Sequence, residues 1–207
     1  HRFGFFPSFS AAWVISNEEF YQPIKDVMNA AKLRASYGWL GNQNVGYYEY
    51  ISNMSFYECD YLIDGKKPIA VGSPNLISGA LTWEKVNTID VGLDLAFFGN
   101  RLTFSGDVYR RNTLDMLTPG KTLPGVLGVS SPRQNAADLK TQGWEISLGW
   151  QDQFSLASKP FSYSVKFNLS DSWAEITRFN NETGTLDDYY AGWRMGDILG
   201  LTTEGFF

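Results

Sequence analysis

The sequence predicts an all-β protein built from antiparallel strands, and three observations lead to this prediction. Apolar and polar residues alternate over several stretches of about ten residues, which is the pattern of a strand with one apolar face. Turn residues separate these stretches. No apolar run approaches the roughly 20 residues that a membrane-spanning helix requires. Aromatic residues make up 16% of the 207 residues and charged residues only 19%, so this is not the surface of an ordinary soluble domain.

The N-terminal part of the chain holds two weaker strand candidates and one helix. The strand candidates are Phe5–Ile15 and Lys32–Leu40. Between them, Glu18–Ala31 is expected to form a short helix, because Asn17 can cap it and its first turn is acidic. Pro23 limits the length of that helix.

The clearest element is a hairpin from Thr88 to Arg111. Alternating residues lead into Gly99-Asn100, a two-residue turn of the hairpin type, and alternate again after it. Such a turn fixes the pairs Phe98–Arg101, Phe97–Leu102, Leu95–Phe104 and Val91–Val108. Both apolar sets then fall on one face. Because a slip of one residue would set apolar against polar residues, this agreement supports the hairpin.

A second hairpin is predicted over residues 143–170. Its first strand alternates from Trp144 to Trp150, and its second strand begins at Phe161 after the connection Gln151–Pro160. Residues 112–141 and everything after Asp171 are expected to be long connections. Short turns would then lie at one end of the sheet and long loops at the other, as in a barrel.

Strand length and aromatic placement favour a membrane β-barrel over a soluble sandwich. A ten-residue strand rises ~3.3 Å per residue, so at ~45° tilt it climbs roughly 23 Å, close to the ~25 Å apolar band of an outer-membrane barrel. Aromatic residues at strand ends suit the membrane interfaces; they are Phe97, Trp144, Trp150 and Phe161. A sandwich whose core is the apolar face gives the same alternation, so the pattern alone leaves both folds open.

Composition excludes several functional classes. The net charge is −5, and nucleic-acid binding needs clustered cations, so no nucleic-acid partner is expected. The one cysteine, Cys59, allows no internal disulfide or cysteine-based zinc site and is expected to pack as a small apolar residue. The one histidine, His1, leaves no Ser-His-Asp triad. Asp60 and Asp64 lack the spacing of a calcium loop. We therefore expect no enzyme, no catalytic residue, no metal site and no cofactor.

Several short sequence motifs also follow one another in a familiar order. They are Phe5-Phe6-Pro7-Ser8-Phe9-Ser10-Ala11-Ala12-Trp13, Leu33-Arg34-Ala35-Ser36-Tyr37-Gly38, Gly41-Asn42-Gln43-Asn44, Leu81-Thr82-Trp83-Glu84-Lys85, Val91-Gly92-Leu93-Asp94, Gly99-Asn100-Arg101-Leu102, Asp107-Val108-Tyr109, Asn135-Ala136 and Gly143-Trp144-Glu145. Together they make most of the chain resemble the barrel of SusC/RagA-like TonB-linked transporters of the bacterial outer membrane.

The resemblance implies an architecture and a set of partners. It implies a 22-stranded barrel in outer-membrane lipid, an N-terminal plug, a TonB box through which TonB acts, and a SusD-like surface lipoprotein that captures glycans or peptides. Residues 1–207 contain neither the plug, the TonB box nor the closing strands, so we expect them to be a partial barrel from the C-terminal half. We also expect this segment not to fold alone, because its strand edges and apolar face would lack partners.

One stretch is the best candidate for ligand contact. Aromatic rings and amide side chains suit sugar surfaces, hydroxyls or a peptide backbone, and an outward loop is expected to carry Trp39, Asn42, Gln43, Asn44, Tyr47 and Tyr48. Under the alternative interpretation, Trp39 and the tyrosines are membrane-interface residues and the amides stabilise a turn.

The leading functional hypothesis is a passive wall segment of a nutrient importer. Its lumen face would carry Asp90, Asp94, Asp107, Glu145 and Lys166, and its lipid face would carry Ile89, Leu93, Phe104, Trp144 and Phe167. The alternative hypothesis is a soluble all-β glycan-binding or adhesion module, in which the same apolar faces form a sandwich core.

Overall fold

The computed structural model describes residues 3–42, 51–79, 81–118, 120, 123–156, 158–179, 181, 189–198, 200 and 205. The strands are β1 (Ser8–Val14), β2 (Met28–Asn42), β3 (Phe56–Glu58), β4 (Ile69–Val71), β5 (Glu84–Phe97), β6 (Leu102–Thr118), β7 (Gln134–Leu156) and β8 (Lys159–Arg178). Short 3-10 helices occupy Ile15–Asn17, Glu19–Ile24 and Gly125–Leu127. Among the described residues, no helix has the length and apolar character needed to cross a membrane.

Six of the strands form one antiparallel sheet in the order β1-β2-β5-β6-β7-β8. Each strand pairs with the next along the chain, except that the connection from β2 to β5 contains a separate two-stranded sheet of β3 and β4. Cys59 follows β3 and is buried, as expected for a small apolar residue. The predicted antiparallel all-β fold is confirmed.

The register gives the large sheet two chemically different faces. Lys32 pairs with Asp94, which pairs with Ser105, whereas the next row joins Leu33, Leu93 and Gly106. The polar face carries Lys32, Arg34, Asp90, Asp94, Ser105, Asp107, Glu145, Ser147 and Lys166, and the apolar face carries Leu33, Ile89, Val91, Leu93, Phe104, Val108, Trp144, Leu148, Val165 and Phe167. The predicted division of residues between two faces is therefore correct.

The apolar face is uncovered in the part of the chain that the structure describes. Val165 is 63% exposed and Phe167 is 56% exposed. The buried apolar residues among those described are Tyr21, Ala31, Cys59, Ala137 and Ile176. A sandwich needs a second sheet over this face, but β3 and β4 have only three residues each. The six strands of the large sheet thus form a single wall and not the predicted alternative of a sandwich.

The apolar band crosses the strands obliquely. On the loop side, the first polar residue of the apolar face is Asn87 on β5, Arg110 on β6, Gln142 on β7 and Asp171 on β8. The pairing assigns each of these residues to a row of the sheet that also contains a residue of β5. The row of Asn87 itself marks the edge on β5, and the row of Val91 marks it on β8, so the edge moves by four residues over the three steps from β5 to β8. That is about 4.5 Å along the strands for every 4.8 Å across them, a tilt of roughly 40°. Strands of outer-membrane barrels have this tilt.

Aromatic residues border the band at its short-turn end. The Phe154 and Phe161 ring centroids are 5.2 Å apart, and the Trp150 indole N–H donates to the Tyr163 hydroxyl at 3.1 Å. Rings with one polar atom suit a membrane interface. Trp144 and Trp150 were both predicted at strand ends, but both lie inside β7, Trp144 at the loop-side edge of the band.

The predicted helix over 18–31 is wrong. One 3-10 helix, Glu19–Ile24, occupies part of that region, another, Ile15–Asn17, precedes it, and β2 already begins at Met28. Pro23 lies inside the six-residue helix Glu19–Ile24, and no side chain caps either helix. Proline removes one backbone donor, so the segment forms short turns between β1 and β2.

The β5–β6 turn is longer than predicted, although its register is correct. Phe97 pairs with Leu102, Leu95 with Phe104 and Val91 with Val108. The turn itself spans residues 98–101, because the Phe98 N–H donates to the Val27 carbonyl at 2.9 Å and not across the hairpin. Phe98, Gly99 and Asn100 all have positive φ.

The connections elsewhere are shorter than predicted. Pairing of β7 with β8 continues to Leu156 and Lys159, so two residues join these strands in place of ten. At the other end, β6, β7 and β8 reach Thr118, Gln134 and Arg178. Strand pairing continues through polar residues beyond the apolar band. The alternation of apolar residues stops at the edge of that band, so it could not predict the full length of the strands.

Candidate functional site

A network of charged side chains lies at the centre of the polar face. Arg34 on β2 donates from Nε to Asp94 Oδ2 at 2.7 Å and from Nη2 to Asp94 Oδ1 at 3.1 Å. Nη2 also lies 2.9 Å from Asp107 Oδ1 on β6. The Ser105 hydroxyl donates to Asp94 Oδ1 at 2.8 Å. One guanidinium therefore joins carboxylates on two further strands, a geometry that suits the planar arginine fork.

Gly92 makes room for this network. It pairs with Arg34 on one side and with Asp107 on the other. A Cβ atom at Gly92 would clash with Asp107 Oδ1 and lie 2.6 Å from Arg34 Nη2. The guanidinium thus crosses β5 through the space that a side chain would occupy.

Glycine serves the same purpose at two more positions of the polar face. The Tyr109 hydroxyl lies 2.6 Å from the place of a Gly143 Cβ, and the Thr103 hydroxyl lies 2.6 Å from that of a Gly149 Cβ. Both glycines pair directly with these residues. The side chains of Tyr109 and Thr103 therefore occupy the space next to a glycine of the neighbouring strand.

A second cluster, the loop-side cluster, lies beyond the apolar band. Arg178 donates from Nε to Asp138 Oδ2 at 2.7 Å and from Nη2 to Asp115 Oδ1 at 2.9 Å. Lys85 Nζ lies 3.6 Å from Asp115 Oδ2. Asp115 has a φ of 57° within an irregular part of the β6–β7 ladder, and its N–H donates to Asp138 Oδ1 at 2.8 Å. The cluster joins strands β5 to β8 at the base of the long loops.

Asp138 is held in its charged form. It lies further toward the loops than Gln142, the residue that ends the apolar band on β7. Burial acts to raise its pKa, but hydrogen bonds from Arg178 and from the Asp115 N–H outweigh burial, and the pKa of Asp138 is lowered. Its stabilising effect is therefore present above the unfolded pKa of about 3.9 and is lost as the pH falls through the lower folded value.

Acid should open this end of the sheet first. As the pH falls through the lowered pKa of Asp138, protonation weakens the acceptor of the Asp115 N–H. We expect the hydrogen-exchange protection of that N–H to fall about tenfold while Val108, within the apolar band, keeps its protection. Asp138→Asn should lower the protection of the Asp115 N–H already at pH 7. Protection of the Asp115 N–H that stays equal from pH 7 down to the lowest pH at which the receptor remains folded would contradict this role.

The sequence-predicted contact residues fall in different places. Trp39 lies on the apolar face, where its indole N–H donates to the Tyr37 hydroxyl at 2.8 Å. Asn42 ends β2 and donates to Glu84 Oε2 at 2.9 Å, while Glu84 Oε1 accepts from the Leu117 N–H at 2.8 Å. Gln43, Asn44, Tyr47 and Tyr48 lie outside the described residues. Asn42 thus links three strands at the loop end.

The polar face of the sheet carries charged and hydroxyl side chains on neighbouring strands. Among the described residues, no group of three or more His, Cys, Asp or Glu side chains is placed to hold a metal ion. The carboxylates at the centre of the polar face are bound to Arg34. Such a surface can order water and contact polar solutes.

Comparison with known proteins identifies the family. A family model described as TonB dependent receptor-like, beta-barrel matches residues 1–203. TonB-dependent receptor P3 of Formosa agariphila is 34% identical over 205 residues, which is 99% of this chain and 19% of that protein. TonB-dependent receptor SusC of Bacteroides thetaiotaomicron is 30% identical over 195 residues, 92% of this chain and 18% of that protein. The chain spans about a fifth of these relatives.

The fold is similar to that of solved transporters. The structure of the RagAB peptide transporter matches 84% of this chain with a TM-score of 0.68 at 26% identity, over 18% of that chain. The RagAB peptide importer in its open-open state matches 87% of this chain with a TM-score of 0.64 at 27% identity, also over 18% of that chain. Family model, sequence identity and fold agree that this chain belongs to the TonB-dependent receptors, a family of transporters and not of enzymes, and that it is a segment of their outer-membrane β-barrel.

Proposed function

We propose that the receptor containing this chain imports a nutrient across the outer membrane, and that these residues form a passive part of its wall. The two-faced sheet carries this proposal. Its apolar face suits lipid, its polar face suits a hydrated lumen, and its strand tilt suits a barrel. The similarity to SusC and to the RagAB peptide transporter supports import as the activity.

We infer that other parts of the receptor complete the barrel and energise it. The relatives are about five times as long as this chain, which leaves room for the remaining strands, the closing strands and a plug. TonB would act through those parts. In this proposal the charged network at Arg34 keeps strands β2, β5 and β6 in fixed register while solute passes.

A SusD-like surface lipoprotein is the proposed partner, and a glycan or an oligopeptide is the proposed ligand. The similarity to SusC and RagAB supports both proposals. The ligand contacts proposed here are Asn42, Gln43, Asn44, Tyr47 and Tyr48, and the position of Asn42 at the loop end of β2 supports this choice. Trp39 is hydrogen-bonded to Tyr37 on the apolar face, which favours its alternative assignment as a membrane-interface residue.

Deletion of the receptor gene tests the import function. We expect the deletion strain to lose uptake of at least one oligosaccharide or oligopeptide from a broad panel. The intact gene should restore that uptake, and collapse of the proton gradient should abolish it. A deletion strain that takes up every member of the panel at the parental rate would contradict the proposal.

The proposed contacts are tested in the complete receptor. Replacing Tyr47 and Tyr48 by alanine should weaken binding of the identified ligand at least tenfold, because each ring covers apolar ligand surface. Tyr57→Ala is the matched control, since Tyr57 is an exposed tyrosine of β3 in the same connection. Unchanged affinity in the double variant would remove these residues from the site.

A further inference from the structure

A depression on the polar face lies between two lysines near the short-turn end of the sheet. Its volume is about 470 Å³, and both Lys32 on β2 and Lys166 on β8 line it. The row nearer the short turns runs from Ala30 through Ala96, Thr103 and Gly149 to Lys166. Small side chains therefore form its floor, and the lysines stand at its two ends.

Neither lysine forms an ion pair with the residues that the structure describes, although Lys32 interacts electrostatically with Asp94. Lys32 pairs in register with Asp94, but the Asp94 carboxylate is already held by Arg34 and by the Ser105 hydroxyl. Lys166 pairs with Gly149. Neither ammonium group has a carboxylate within 4.0 Å among the described residues. Arg34, by contrast, is shared between two carboxylates.

The two lysines are the donors that the depression offers to an anion. The hydroxyl protons of Thr103, Ser105 and Ser147, which line it between the lysines, are already donated to the Gly149 carbonyl, Asp94 and Asn168. The carboxylate in the lining, Asp94, is held by Arg34. The backbones of β2 and β8 are four strand steps apart, roughly 19 Å. Two cations on strands that far apart fit an extended ligand with several negative groups better than a single small ion.

We propose that Lys32 and Lys166 form a carboxylate-binding subsite in the lumen wall, which selects acidic oligomers among the solutes that the receptor admits. This inference rests on the proposed import function. An acidic oligopeptide and an acidic oligosaccharide present the same carboxylate chemistry. Each ligand carboxylate would accept hydrogen bonds from one of the two ammonium groups.

Calorimetry on the purified complete receptor tests the subsite. The acidic probes are hexaglutamate and hexagalacturonate, and the neutral probes are hexaglutamine and methyl-esterified hexagalacturonate. We expect Lys32→Gln and Lys166→Gln each to weaken binding of one acidic probe about tenfold, and the double variant about a hundredfold. Neutral probes should show no change. The acidic probe that responds identifies the source of the carboxylates.

A matched control and a cross-link complete the experiment. Lys140→Gln removes a lysine that is paired with Glu175 at 3.0 Å, and it should leave acidic-probe affinity unchanged. A carbodiimide should couple Lys32 and Lys166 to the responding acidic probe. Each variant should retain the heat-modifiable gel mobility of a folded barrel.

Three results would overturn the subsite. They are failure of the unaltered receptor to bind either acidic probe, equal affinity in the double variant, and coupling of both lysines only to carboxylates of the receptor itself. None of these measures nutrient uptake. If the receptor imports its nutrient but gives one of these results, only the proposed subsite is wrong. The deletion strain decides separately whether the proposed import function is wrong.

Discussion

The Val165→Arg substitution should destabilise the complete receptor in lipid vesicles by about 2–4 kcal/mol, the cost of arginine near the bilayer centre. Val165 is 63% exposed on the apolar face. It lies midway along the apolar run of β8, which extends from Phe161 to Leu169. Because lipid cannot hydrate a guanidinium, the folded state loses stability. Urea unfolding followed by heat-modifiable gel mobility measures the change.

Ser164→Arg is the control on the opposite face of the same strand. Ser164 pairs with Gln151 on the polar face, where arginine stays in water, so its effect should remain within about 0.5 kcal/mol. Equal destabilisation by both substitutions would mean that the two faces do not differ in their surroundings. A neutral Val165→Arg would contradict a lipid-facing position.

The second large effect is expected from Arg34→Met, at about 2 kcal/mol, since the hydrogen bonds to two carboxylates are lost together. Asp94 and Asp107 would then face each other without the guanidinium between them, and Asp90 lies on the same face close by. Like charges in a partly buried site repel. Urea unfolding of the complete receptor measures the loss, and Asp94→Asn added to Arg34→Met should recover part of it.

Arg111 provides the matched control for Arg34. It also lies on the polar face, in register with Thr88, and it has no ion pair with any residue in the described part of the chain. Arg111→Met should change stability by less than about 0.5 kcal/mol. Gly92→Val is an independent test, because its side chain blocks the path of Arg34 to Asp107. Full stability of both Arg34→Met and Gly92→Val would contradict the role of the network.

The sequence predicted local pairing well because the hairpin register depends on neighbouring residues. Phe97 opposite Leu102 followed from the turn position and the alternation. The polar ends of β7 and β8 were missed, since alternation of apolar residues stops at the edge of the apolar band while backbone pairing continues. The β3–β4 sheet was missed because strands of three residues carry too short a pattern.

The charged network needed information that the sequence pattern lacks. Asp94 and Asp107 were placed correctly on the polar face, but Arg34 is 60 residues away from Asp94 in sequence. Their contact depends on the pairing of β2 with β5 across a long connection. A glycine on the polar face, such as Gly92, is the sequence feature that could have predicted the contact. It leaves space in which a side chain of one neighbouring strand can reach the other.

Alternating lipid accessibility along β8 tests the membrane-wall interpretation most directly. Nitroxide labels are placed one at a time at positions 163 to 168 in the complete receptor, reconstituted in vesicles and carrying Cys59→Ser. We expect labels at 163, 165 and 167 to be reached by oxygen dissolved in lipid, and labels at 164, 166 and 168 to be reached by a water-soluble nickel complex. Access of the nickel complex to all six positions, or exclusion of both reagents from the odd positions, would contradict the account.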